Sequence, residues 1–130
     1  MDLLIIVSLI LLVFEAVYNA REVFVVNRMR KDKATFMEGH TKWVQVGEGI
    51  ELVAFVLAGI LLYLSDFNVI LVVITIALGI YHIAGTVSNT NMISKMPEDR
   101  VKKMGQFIML MCAIEVVFSI YMIALIIPLL

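Results

Sequence analysis

Glu15, Glu51, His82 and Glu115 each interrupt a long apolar stretch, and they are the residues best able to do chemistry in this chain. A charge at the centre of a bilayer costs about 2.5 kcal/mol or more, so such groups normally face protein or water and mark functional positions. Brought together, carboxyls and an imidazole support two chemistries. Three carboxylates a few ångströms apart in low dielectric must hold protons or share a cation, so the set can relay protons. It can equally hold a metal, because three Glu and one His form an oxygen-rich donor set suited to Zn, Fe or Mn, and a four-helix bundle with one ligand per helix can carry it. The Glu-x-x-His spacing of di-iron bundles is absent, and Glu48-x-x-Glu51 is the nearest approach. A purely structural role stands beside both: buried acids can bond Tyr18, Asn19, Tyr81 or Thr86 on neighbouring helices, each contributing about 0.6 kcal/mol.

Neighbours at helical spacing extend these positions into stripes. Glu15, Asn19 and Glu22 share one helix face, as do Glu48 and Glu51, then His82, Thr86 and Asn89, then Met111, Cys112, Glu115 and Ser119. Asn19, Glu48 and Thr86 are the expected supporting residues. Each stripe runs from mid-membrane toward one side, so together they would line a polar crevice opening that way. Ser8, Thr75 and Tyr63 are the few polar groups toward the other side.

The elements that must position these groups follow from length. Crossing hydrocarbon about 30 Å thick takes roughly 20 apolar residues with every backbone polar group paired inside the helix. Four segments qualify, at about 3–26, 44–64, 69–87 and 104–128. The first has no basic region before it and reads as a span rather than a signal peptide. The expected fold is therefore an all-α integral membrane protein, four transmembrane helices arranged as two hairpins in one bundle over residues 1–130. Asn27 to Thr41 mixes basic and apolar residues and ends near Gly39, which predicts a short helix on the membrane surface. Asn89 to Met96 reads as turn-like. Pro97-Glu98-Asp99 reads as a helix start with proline at the first position, and Pro128 as that helix's end.

Composition agrees. The chain is 62% apolar and 16% charged, with a mean hydropathy of +1.03, against about 45–50% and 25% in soluble domains. That excludes a soluble enzyme or a nucleic-acid binder, and a single cysteine, Cys112, excludes a disulfide framework within the chain. All ten Lys and Arg fall in or beside the first and third connections, and none lies in Ser65–Asn68 or at either end. The positive-inside rule then puts the first and third connections in the cytoplasm and both termini outside.

Phe14 to Asn19 aligns with Tyr81 to Thr86, and Ile50 to Val53 with Ile114 to Val117, which suggests a repeat of 1–65 in 66–130. The remaining signals are weaker. His40 and Trp43 sit at the inner interface, where Trp is an ordinary anchor. Gly47, Gly49, Gly79 and Gly85 read as packing devices rather than ligand loops. The methionines share no one face, which argues against a copper path, and one intramembrane His excludes bis-His haem within the chain.

The function these residues point to is binding or transport of protons or a small cation at Glu15, Glu51, His82 and Glu115, in a homo-oligomer or with other membrane subunits, and without nucleic acid. No cofactor is expected on the proton reading; a Zn, Fe or Mn ion is the alternative. Two rival functions are a non-catalytic accessory subunit of a larger membrane complex and a membrane-embedded lipid-modifying enzyme. The second is disfavoured because no nucleophile-base pair or phosphate cradle is recognisable. The charge asymmetry yields a first test: cysteines introduced at Ser65 or Asn68 should react with impermeant thiol reagent from outside, and those at Lys31 or Lys95 only after permeabilisation. The reverse labelling pattern inverts the orientation.

Overall fold

The apolar runs form helices in which almost every backbone polar group is paired within the element. The computed structural model describes residues 2–29, 31–39, 42–87 and 90–130, and among them there is helix but no strand. The helices are α1 (Asp2–Met29), α2 (Lys33–Gly39), α3 (Lys42–Leu64), α4 (Val69–Val87), α5 (Thr90–Ser94) and α6 (Glu98–Ile126), the last continuing as a 3₁₀ turn over Ile127–Leu129. Three stretches, Asp2–Arg28, Val44–Leu64 and Glu98–Leu129, are long and apolar enough to cross a membrane, and α4 contributes a shorter apolar stretch over Val69–Ile83.

Three expectations are refined. The segment around Asn91 forms a short helix, α5, instead of a turn. Pro97 is the cap of α6 with extended backbone (φ −60°, ψ 148°), one position before the helix proper. Pro128 does not stop α6; the helix tightens first at Ile127, and proline sits inside that 3₁₀ turn.

The buried positions explain how the long helices meet. They recur in steps of three and four: Ile5, Ser8, Leu12, Glu15 and Asn19 on α1; Glu51, Ala54, Ala58 and Leu61 on α3; Cys112, Glu115, Ser119, Met122 and Ile126 on α6. This is the seam of helices packing at shallow angles. The helix pairs in closest contact are α3 with α4 and α1 with α6, followed by α1 with α3. Glycine brings α3 and α4 together. A Cβ on Gly59 would lie 2.5 Å from Ile76, and one on Gly79 3.2 Å from the Leu52 carbonyl. Gly49, by contrast, faces open space.

Two apolar clusters result. Leu12, Phe55, Leu61, Leu62, Met122 and Ile126 belong to the one at the α3–α4 turn. Val26, Phe36, Ile93 and Val101 form a smaller one where α2 and α5 close over the opposite end. The short helices are pinned by capping. Asp32 Oδ1 accepts the Thr35 backbone N–H at 2.7 Å, and the same donor holds the exposed Asp32 carboxyl below its usual range. Lys33 Nζ donates to the Ser94 carbonyl at the end of α5. The outward faces of the long helices stay apolar, with Ile10, Val17, Phe24, Ile70, Val73 and Val117 exposed.

The turn between α3 and α4 is specified residue by residue. Phe67 N–H bonds the Leu62 carbonyl at 3.0 Å and Asp66 N–H the Tyr63 carbonyl at 3.3 Å, the paired bonds of a Schellman ending. Asp66 occupies its left-handed position, φ 60°. Asn68 Oδ1 then caps α4 by accepting the Ile70 N–H at 2.8 Å. Because an L-residue is disfavoured at that φ, Asp66→Gly should raise stability in detergent by about 0.5–1 kcal/mol, whereas Gly79→Leu should lower it by about 1–3 kcal/mol through overpacking. Circular-dichroism melts of the purified variants check both signs.

Candidate functional site

Helical spacing places Glu15 on α1, Glu51 on α3, His82 on α4 and Glu115 on α6, each on the face its helix turns inward. The four are brought together. One ligating atom from each lies within 4.8 Å of the others, and each residue is at most 3% exposed. The cluster sits between the two apolar cores, so bulk water does not dilute its electrostatics.

His82 is the hub. Its Nδ1 faces Glu51 Oε2 at 2.8 Å and also contacts Glu48 Oε2, while Nε2 lies 2.9 Å from Glu115 Oε1. That last approach has ion-pair distance without hydrogen-bond angles, so it is an electrostatic contact only. The ring is held flat against Phe55, with centroids 6.0 Å apart and planes 5° from parallel. Phe55 lies one helical turn beyond Glu51, so the same helix face presents the acid and the surface that orients the base.

On α1, Asn19 supports Glu15. Its amide donates to Glu15 Oε2 at 2.8 Å and to the Glu15 carbonyl at 3.0 Å. Three carboxylate oxygens remain buried with no hydrogen-bond partner: Oε1 of Glu15, Oε1 of Glu51 and Oε1 of Glu115. Buried carboxylate oxygens in that state demand a proton or a cation. Ligand atoms bonded to a metal at about 2.0–2.2 Å lie roughly 3–4.4 Å apart, so the set needs only a small contraction to close on an ion.

A cavity of about 390 Å³ opens from the cluster toward α2 and α5. Glu48, Glu51, His82 and Glu115 lie on its wall, Glu22 and Asn19 extend it along α1, and Phe36, Ile93 and Met96 close its far end. The expected inward crevice is therefore a cavity with an acidic end and mostly apolar walls. Tyr18, Tyr81, Phe107 and Met104 make those walls beside Met111, which its helical stripe had placed at the crevice; single-helix periodicity did not assign the other four to it, because they come from three different helices. Tyr18 stacks on Phe14 at 5.4 Å and lies where a Cβ on Gly47 would be, 2.6 Å from its hydroxyl. Glycine at 47 thus makes room for a wall residue.

Toward the α3–α4 turn the cluster is closed by apolar packing, with Ser8, Thr75 and Ser119 fully buried in it. Thr75 bonds its own helix through the Leu71 carbonyl at 2.7 Å; Tyr63 is exposed. Asn89 and His40 lie outside the described residues, as do the side chains of Thr86 and Trp43.

Comparison with protein-family models, curated proteins and solved structures finds no match. The geometry itself sets the next test. Asn19→Ala removes the one side-chain donor to Glu15 among the described residues and should destabilise the protein by about 1–3 kcal/mol, read as a lower midpoint in thermal unfolding, with Asn19→Gln restoring part of the loss.

Proposed function

We propose that this chain is a four-span membrane protein that binds protons or a small cation at Glu15, Glu51, His82 and Glu115 and serves in its transport. The observation that carries this reading is the convergence of four ionisable side chains within 4.8 Å, with three carboxylate oxygens buried and without a hydrogen-bond partner among the described residues. Three acids against one imidazole leave negative charge that the protein does not balance. Protons and a metal ion compete for the same oxygens, so occupation by a divalent ion displaces protons.

The membrane setting is supported by three helices of spanning length and by apolar outward faces, which water would not tolerate over so much surface. We take α4 as the fourth span, the two hairpins as one bundle, and the basic connections as cytoplasmic, so the cavity faces the cytoplasm. A duplicated origin fits the packing. Ser8 and Glu15 are seven positions apart on α1, as Thr75 and His82 are on α4. Exchanging the halves also carries the α1–α6 pair onto α4–α3, the two closest pairs.

For a metal, Glu48 has a distinct place. It lies outside the four-residue cluster yet contacts His82 Nδ1, the position of a carboxylate that orients a ligating imidazole. With the α3–α4 side closed, passage across the membrane requires that side to open in a second state or a second copy to complete the path.

Calorimetric titration of the detergent-purified protein with Mn²⁺ or Zn²⁺ should give near-stoichiometric binding that weakens as pH falls. Glu51→Gln or Glu115→Gln should cut affinity at least tenfold while the helical spectrum is retained. Proteoliposome flux of the same ion should depend on the pH gradient. Folded Gln variants with unchanged ion and proton binding reduce the cluster to a structural role.

A further inference from the structure

We propose that the cavity beside the cluster is a binding site for an organic ammonium ion with an apolar, aromatic body. The proposal rests on the cation reading of the cluster and adds the class of ligand that reaches it. The cavity has two chemically different ends. One presents Glu48, Glu51 and Glu115 around His82, three acids to one base, and no Lys or Arg lies on its wall among the described residues. The other consists of aromatic, aliphatic and thioether groups, Tyr18, Tyr81, Phe107, Met104 and Ile108 among them. At about 390 Å³ it lies in the ~300–1,000 Å³ range of pockets that enclose small organic ligands. A hydrated metal ion has no use for such walls. An amine whose head meets Oε1 of Glu51, buried without a hydrogen bond among the described residues, and Oε1 of Glu115, in electrostatic contact with His82 Nε2, and whose body covers the aromatics satisfies both ends, with ring faces adding attraction to the cation. Methionine walls suit bodies of varied shape. A zwitterionic phospholipid is a poorer match, because its phosphate would meet carboxylates and no cation.

We place the entrance for such a ligand at the seam between α4 and α6. α4 and α6 share the acid-imidazole contact but are not among the closely packed helix pairs, and their gap beside the cavity is spanned by Tyr81 and Phe107, edge to face with centroids 6.2 Å apart. Phe107 is half exposed. An amphipathic amine partitioned into the membrane would reach the acids by parting these two rings.

The test uses the full chain in non-ionic detergent, with protein-free micelles as the blank, and compares 4-phenylbutylamine with its neutral counterpart 4-phenylbutanol by calorimetry. The amine should bind at least tenfold more tightly, and Mn²⁺ should displace it. Met104→Trp, which fills the cavity away from the acids, should weaken amine binding at least tenfold and leave Mn²⁺ binding within twofold. Equal affinity for amine and alcohol overturns the proposal and makes the cavity a neutral apolar pocket. Mn²⁺ binding with no amine binding also overturns it, while the cation reading stands; failure of both ligands removes both. Should Met104→Trp not fold, the amine-alcohol comparison on the unaltered protein decides.

Discussion

Three carboxyl groups held out of water with a single base among them are the constraint around which this structure is arranged. Four helices each bring one ionisable side chain to the same place, and only one of the four is a base. Desolvating a carboxylate is unfavourable by several kcal/mol unless it is paired. The contacts around the cluster read as responses to that cost: Asn19 on Glu15, His82 between Glu48, Glu51 and Glu115, and Phe55 fixing the imidazole plane. They leave three carboxylate oxygens without a hydrogen bond among the described residues. A structure that meets most but not all of such a demand is ready to accept a proton or a cation, which is the basis of the proposed function.

The apolar parts of the molecule set the boundary conditions for that readiness. The larger core on the side of the α3–α4 turn is tightly packed, with glycine at 59 and 79 letting two helices approach closely. The smaller core under α2 and α5 closes over a cavity instead of filling it. Packing density is thus asymmetric along the helices. The dense side is the one that resists opening, and the looser side leaves room for a ligand and for movement. In the proposed membrane setting this asymmetry leaves the cluster reachable from one side only.

The sequence by itself determined which long segments are helices, though not the short α5, and which residues within them are unusual. The reason is local: apolar runs of spanning length have no other way to satisfy their backbone, and a lone Glu or His in such a run is visible against it. The start of α6 at Pro97-Glu98-Asp99 was likewise legible, though the Asn68 cap and the left-handed Asp66 were not read, because a Schellman ending without glycine leaves little trace in composition. Helical periodicity also put Glu15 with Asn19 and Glu48 with Glu51 on common faces. Tertiary structure alone decided that the four faces meet within bonding reach of a single ion, that Phe55 backs His82, and that Glu48 joins the imidazole from outside the cluster. It alone decided that the crevice is walled by Tyr18, Tyr81, Phe107 and Met104. Those outcomes depend on the rotation and separation of whole helices, which arise from glycine contacts and side-chain packing between segments far apart in the chain, and no single helix's pattern contains them.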